Sequence, residues 1–126
     1  MRFDIAARLR SFRYAIRGLR FLVQSQQNAW THLLVTVGVI TAAVSFRLPG
    51  TEWCLIVLAM TIVWVAESFN TAIECLVDLV SPEIQPLAGR AKDVAAGAVL
   101  LSAIGASFVG GFVFLPHVLA MFSYSA

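Results

Sequence analysis

The feature that most constrains this chain is a set of long apolar runs. The last of them, residues 94–122, contains no Asp, Glu, Lys or Arg. Over the whole sequence 60% of residues are hydrophobic and 13% are charged, which is typical of membrane proteins. A helix needs about 20 apolar residues to cross a bilayer. The runs at about 30–47, 53–80 and 94–122 therefore predict three transmembrane helices in one all-α integral membrane domain, 1–126.

Residues 1–25 have a different pattern, which predicts an amphipathic helix on the membrane surface. Apolar side chains recur at steps of three and four on one face, and arginines recur likewise on a neighbouring face. A basic helix with an aromatic and leucine face binds an anionic membrane surface. A helix packed on a partner protein is the alternative. The arginines interrupt the segment too often to leave the apolar stretch of a secretory signal.

The positions of the basic residues predict the orientation of the chain. Six of the nine Lys and Arg residues lie within residues 1–25, and Arg90 and Lys92 lie between the second and third apolar runs. Cytoplasmic segments of membrane proteins carry the excess of Lys and Arg. We therefore expect the N-terminus and residues 81–93 in the cytoplasm, and the C-terminus outside.

The second apolar run carries polar side chains that a transmembrane helix rarely tolerates. They lie in "AESFNTAIECLVD", residues 66–78, and helical spacing places them within an arc of about 100°. We call this set the acidic stripe: Glu67, Asn70, Thr71, Glu74 and Asp78. Charged groups in hydrocarbon are costly unless they are paired, hydrated or facing a cavity. A plain contact between helices needs one such residue rather than a stripe, so the stripe predicts a functional site.

The acidic stripe is expected to run from the hydrocarbon to the headgroups. The apolar residues 53–66 cover about 21 Å of a core about 30 Å thick, which places Glu67 inside the cytoplasmic leaflet. Glu74 lies about 10 Å further along, and Asp78 reaches the interface. A lipid hydroxyl would therefore meet Glu67 from the bilayer, whereas a nucleotide with its metal would meet Glu74 and Asp78 from water.

The next stretch, "SPEIQPLAGRAKD", supplies the opposite charge. Pro82 and Pro86 are expected to break the helix, so that Arg90, Lys92 and Asp93 start the third segment at the same membrane surface. A lysine near phosphates neutralises the charge that develops in phosphoryl transfer, and carboxylates hold Mg²⁺ together with waters and phosphates. The sequence has no GxxxxGK[ST] loop, so an ATP site here must be built from helix surfaces.

Two motifs carry a resemblance to a known family. "AESFNTAIECLVD" and "GRAKDVAAGAV" resemble the E-x-x-N-[ST]-A-I-E-x-x-x-D and AKD motifs of the prokaryotic diacylglycerol kinase/undecaprenol kinase family. "AIRGLR" and "NAWTHLL" are similar to its weaker N-terminal pattern, so the resemblance covers almost the whole chain. It implies a homotrimer of three-transmembrane subunits in the bacterial cytoplasmic (inner) membrane, with active sites between subunits. Such proteins transfer the γ-phosphoryl group of MgATP to a lipid alcohol.

The resemblance also implies roles for single residues. Glu67 matches the catalytic base, Glu74 a metal ligand, and Asn70 a polar support. The residues that match nucleotide-contacting positions are Arg10, Tyr14, Arg17, Asp78, Lys92 and Asp93. One position departs from the pattern, because the family commonly has a metal-holding glutamate where this chain has Gln26. A neutral amide oxygen is a weaker ligand for Mg²⁺, which puts in question the number of metals bound or the affinity for MgATP.

Other readings of the sequence stay open. A non-enzymatic membrane protein, such as a cation or proton conduit, would also carry intramembrane carboxylates, and a kinase homologue with weakened metal binding would carry Gln26. The cluster of Arg90 and Lys92 favours a phosphate site over a cation path. "NAWTHLL" and "VDLVSPE" favour undecaprenol slightly over diacylglycerol as substrate. We expect His32 to be structural, His117 to be interfacial, and Cys54 and Cys75 to be reduced, since about 30 Å of helix separates the two cysteines.

Overall fold

The computed structural model describes residues 4–25, 27–81, 83 and 85–123, which form four helices. These are α1 (Ile5–Ser25), α2 (Gln27–Ser45), α3 (Gly50–Val80) and α4 (Pro86–Ser123). By length and apolar composition, Asn28–Ser45 in α2 and the whole of α3 and α4 are each able to cross a membrane. The all-helical class is therefore confirmed, three helices are long and apolar enough to be the predicted transmembrane segments, and a helix occupies the predicted N-terminal segment.

The turn between α2 and α3 is short because the end of α2 is capped by its own backbone. The Leu48 N–H donates to the Ala43 carbonyl and the Arg47 N–H donates to the Val44 carbonyl, each at 3.1 Å. This pair of bonds is the Schellman arrangement, which needs a left-handed residue at its corner. Arg47 supplies it with a φ of 52°. Leu48 is buried beneath the turn, and Pro49 precedes the first residue of α3.

The start of α4 differs from the sequence-based expectation. Pro86 was expected to turn the chain before a helix beginning near residue 94, but Pro86 is the first residue of α4. Proline is tolerated in a first turn because the N–H that it lacks has no partner there. The Gln85 carbonyl instead accepts the first helical hydrogen bond, from the Gly89 N–H, at 3.1 Å. The AKD motif is consequently helical. Pro82 lies outside the described residues.

The core is small and lies near the end of the bundle that holds the α2–α3 turn. Its buried members are Ala43, Leu48, Ile56 and Val113. The helix α3 packs mainly on α4, whereas α1 contacts both α2 and α3. Large apolar side chains on all three long helices stay exposed, among them Leu34, Phe69 and Phe112. Such surfaces suit contact with lipid or with further subunits.

A glutamate–histidine pair closes the same end of the bundle. The His117 Nε2 lies 2.8 Å from the Glu52 Oε2, which joins the first turn of α3 to the last third of α4. The His117 ring also lies 5.9 Å from the Phe46 ring. Both cysteines lie on α3 as free thiols, as expected.

Candidate functional site

The acidic stripe lies on one face of α3, and its burial falls towards the end of the helix. Glu67 is 1% exposed, and Asn70 and Thr71 are each 4% exposed. Glu74 is half-buried and Asp78 is exposed. The most buried carboxylate, Glu67, is the one that the sequence predicts to lie furthest inside the bilayer; the depth itself stays a prediction.

The Glu67 carboxylate is buried without a hydrogen-bond donor among the described residues. Both of its oxygens lack a hydrogen bond there, and so do the Asn70 Oδ1 and the Thr71 Oγ1. Buried polar atoms are nearly always hydrogen-bonded in native proteins, so unsatisfied ones indicate a missing partner. Three of these four atoms are pure acceptors. The missing partner is therefore a hydrogen-bond donor, and a hydroxyl group fits that requirement.

A histidine from another helix lies beside Glu67. The His32 Nε2 on α2 lies 3.7 Å from the Glu67 Oε2, and the His32 side chain is largely buried. His32 was expected to be structural, and the sequence gives no spacing that relates it to Glu67. The tertiary structure is what places His32 beside Glu67, the most buried carboxylate of the stripe.

Glu74 is held by its neighbour one helical turn earlier. The Asn70 Nδ2 donates to the Glu74 Oε1 at 3.0 Å, which orients the carboxylate. Within the described ranges, no group of three or more His, Cys, Asp and Glu side chains is placed to hold a metal ion by itself. Mg²⁺ is commonly held by one or two carboxylates together with waters and substrate phosphates, so an oriented Glu74 fits that ion. Gln26, the other predicted ligand, lies outside the described residues.

The far end of the stripe is tied to the AKD motif. The Lys92 Nζ donates to the Asp78 Oδ1 at 2.5 Å, and it also interacts electrostatically with Glu74. Asp78 and Lys92 line a pocket of about 220 Å³ formed by the end of α3, the connection and the first turns of α4. The structure therefore brings together Glu74, Asp78 and Lys92. Asp93 follows Lys92 as an exposed residue of α4.

The predicted nucleotide-binding residues of α1 are exposed. The Arg10 guanidinium lies 3.5 Å from the Asp4 carboxylate, and the Arg17 guanidinium lies 5.8 Å from the centre of the Tyr14 ring. Between α1 and α3 runs a groove of about 640 Å³, to which Gly18, Thr71 and Cys75 contribute. The groove adjoins the stripe through Thr71. The roles of Arg10, Tyr14 and Arg17 stay predictions.

Besides this pocket and this groove, a mostly apolar cleft of about 400 Å³ lies among α2, α3 and α4. His32 and Trp64 line it at one end, and Phe114 lines it at the other. The Trp64 Nε1 donates to the Thr36 Oγ1 at 3.0 Å across the cleft. His32 thus lies between an apolar cleft and the buried Glu67 carboxylate.

Comparisons with known proteins show what this chain is similar to. A model of the family described as "Prokaryotic diacylglycerol kinase" matches residues 13–114. A diacylglycerol kinase of Synechocystis sp. is 43% identical over 112 residues, which cover 88% of this chain and 64% of that protein. The chain thus spans less than two thirds of that relative. An undecaprenol kinase of Bacillus subtilis is 36% identical over 107 residues, or 85% of this chain and 87% of that protein. A diacylglycerol kinase of Escherichia coli (strain K12) is 40% identical over 50 residues, or 40% of this chain and 41% of that protein.

Proposed function

The chain belongs to the prokaryotic diacylglycerol kinase family, and on this premise we propose that it phosphorylates a lipid alcohol. The phosphoryl donor is ATP with Mg²⁺, and the reaction takes place at the cytoplasmic face of the bacterial inner membrane. The observation that carries the proposal is the buried Glu67 carboxylate, whose two oxygens accept no hydrogen bond within the described chain. A lipid hydroxyl that arrives from the bilayer is the donor that this carboxylate lacks.

Glu67 is the general base in this proposal. As the lipid oxygen attacks the γ-phosphorus, the bond between that phosphorus and the bridging oxygen of ADP breaks. The hydroxyl proton passes to the Glu67 carboxylate, and the bridging electrons leave with ADP. A general base must lie within hydrogen-bond reach of the proton that it takes. The unsatisfied oxygens of Glu67, buried beside Asn70 and Thr71, provide such a position.

The water-facing part of the stripe serves the nucleotide. Glu74, oriented by Asn70, is the metal ligand, with Gln26 as a weaker second candidate. Mg²⁺ bound there would neutralise charge on the transferred phosphoryl group. Lys92 adds a cation at the same end, where it forms an ion pair with Asp78. Asp78, Asp93, Arg10, Tyr14 and Arg17 are the further residues that we assign to nucleotide binding.

A homotrimer is the assembly that we propose. Each of the three long helices leaves large apolar side chains exposed, and one short bundle covers little of its own surface. The excess of basic residues supports a cytoplasmic position for the N-terminus and for the connection before α4. That orientation brings Glu74, Asp78 and Lys92 to the side of the membrane where ATP is present.

The proposal is tested with purified protein in detergent or vesicles. γ-Labelled ATP and Mg²⁺ are supplied with undecaprenol and with diacylglycerol, and transfer of label to each lipid is measured. Label should enter at least one lipid phosphate and should require Mg²⁺. The names of the relatives include both activities, so the panel also identifies the substrate. Ion flux across vesicles without transfer to either lipid would contradict the proposal and favour a conduit.

A further inference from the structure

Two polar contacts, one helical turn apart, join the candidate membrane spans of α2 and α3. The Trp64 Nε1 donates to the Thr36 Oγ1 at 3.0 Å, and the His32 Nε2 lies 3.7 Å from the Glu67 Oε2. His32 and Thr36 are four residues apart on α2, so they lie on one face of that helix. That face of α2 packs against the part of α3 that carries Glu67, the most buried carboxylate of the acidic stripe.

The orientation of the His32 ring is set by its packing on Trp64. The ring packs edge-on against Trp64, with centroids 6.3 Å apart and an interplanar angle of 63°. Trp64 is in turn anchored by its hydrogen bond to Thr36. Since the His32 side chain is 17% exposed and that of Glu67 is 1% exposed, little water competes for their contact.

From this geometry we propose that His32 is the positioning residue for the general base. With its proton on Nε2, the imidazole directs an N–H at one oxygen of the Glu67 carboxylate and leaves the other oxygen for the lipid hydroxyl. A base that is oriented by a third group is a recurrent arrangement in enzymes. The distance of 3.7 Å is longer than a hydrogen bond, and catalytic hydrogen bonds often shorten only when substrate is bound. The inference rests on the proposed lipid kinase function.

An ordinary contact between helices is the competing explanation, because polar side chains also join helices in membranes. The two explanations differ in what a substitution changes. If His32 only joins two helices, its substitution lowers the stability of the folded protein, whichever atom of the side chain makes the contact. If His32 is a positioning residue, its substitution lowers kcat and leaves the affinity for the nucleotide unchanged. A replacement side chain with a hydrogen-bond donor at the same place then restores kcat.

The test compares three substitutions at residue 32. His32→Leu removes the donor, and His32→Asn has an amide too short to reach the position of Nε2. His32→Gln places an amide N–H close to that position. We expect His32→Leu and His32→Asn to lower kcat for the lipid by about tenfold or more, the scale seen when a group that orients a functional side chain is removed. The KM for MgATP should stay unchanged, and His32→Gln should keep most of the rate.

The chain offers a matched control in its other glutamate–histidine pair. His117→Leu removes the contact with Glu52 at the opposite end of the bundle, far from the acidic stripe along α3. It should lower thermal stability and leave kcat unchanged. If His32→Leu behaves in the same way, or if His32→Gln is as slow as His32→Asn, the contact is only structural and the inference is wrong.

A double substitution tests whether His32 acts through Glu67. In a Glu67→Gln background, His32→Leu should cause no further loss of kcat. Multiplicative losses would overturn the inference, because they would mean that the two residues act independently. Should His32→Leu fail to assemble, His32→Asn serves in the same cycle. Failure of the kinase proposal is a separate result, since the unsubstituted protein would then form no lipid phosphate.

Discussion

At the residue scale, α3 carries two carboxylates in different surroundings: Glu67 is buried and Glu74 is partly exposed. Glu67 has unsatisfied oxygens, whereas the Glu74 carboxylate is hydrogen-bonded by Asn70. The two residues are seven positions apart, which is about 10 Å along the helix. Because their surroundings differ, we propose different roles for them: Glu67 removes the proton of the lipid hydroxyl, and Glu74 binds the metal.

The first prediction separates these two roles. Glu67→Gln keeps the shape of the side chain but cannot accept the proton, so kcat should fall by about 10²-fold or more, the scale for losing a general base. Nucleotide binding should be nearly intact. Glu74→Gln should instead raise the KM for MgATP. Steady-state kinetics with nucleotide titration measure both effects, and near-normal turnover of a folded Glu67→Gln oligomer would make Glu67 only a packing residue.

The second prediction concerns Gln26, for which the sequence alone provides the reason. A carboxylate adds a full negative charge near the cation, so Gln26→Glu should lower the Mg²⁺ concentration needed for half-maximal rate. A charge-assisted contact of this kind contributes about 1–3 kcal/mol. Rates measured over a Mg²⁺ titration test it, with Gln24→Glu as a control that adds the same charge nearby. An unchanged or raised requirement would place Gln26 outside the metal shell.

At the scale of elements, α3 and α4 are tied to each other at both ends. Lys92 and Asp78 join the end of α3 to the start of α4, and Glu52 and His117 join the start of α3 to the last third of α4. We assign the first pair to nucleotide binding. The Glu52–His117 pair lies among the core residues near the α2–α3 turn, where the His117 ring packs beside the Phe46 ring.

The third prediction follows from the position of the Glu52–His117 pair. Removing one partner by Glu52→Ala should destabilise the protein by about 1.5–3 kcal/mol, the range for hydrogen bonds that involve a charged group. The loss should be seen as a lower temperature of thermal inactivation in detergent. The kcat measured well below that temperature should stay unchanged. A large loss of kcat without a loss of stability would contradict a purely structural role.

At the scale of the whole molecule, the orientation in the membrane decides whether the site faces ATP. The fourth prediction uses single cysteines introduced after Cys54 and Cys75 are replaced by alanine. A membrane-impermeant maleimide should label Ser123→Cys on intact cells, and Gln85→Cys only after permeabilisation. Labelling at residue 85 from outside would refute the proposed orientation.

The fifth prediction concerns assembly. If active sites are shared between subunits of a homotrimer, residues from different subunits complete one site. Mixing inactive Glu67→Gln subunits with inactive subunits that carry a substitution at a residue contributed by the neighbour, such as Arg10→Ala on the exposed side of α1, should restore part of the activity. Molecular mass in detergent, compared with 13.7 kDa for one chain, should give the stoichiometry. A monomeric mass with full activity would contradict the trimer.

Much of the architecture follows from the sequence because it depends on local pattern. Apolar runs of about 20 residues or more cross a bilayer as helices, because a helix hydrogen-bonds all its backbone groups within the segment, as lipid requires. Helical periodicity places Glu67, Asn70 and Glu74 on one face of α3, whatever that helix contacts. The same reasoning failed at Pro86, because proline is compatible both with a turn and with the first turn of a helix, and the connection decides which is formed.

What only the tertiary structure decided is which helix faces meet. Periodicity places His32 on a face of α2 and Glu67 on a face of α3, but it contains no information on the rotation of one helix against the other. The packing of Trp64 against His32 and its bond to Thr36 set that rotation. Glu52 and His117 likewise meet across 65 positions of sequence, because α3 and α4 run antiparallel. The sequence by itself thus determined the spans and the acidic stripe, and the packing of the helices determined the neighbours of each carboxylate.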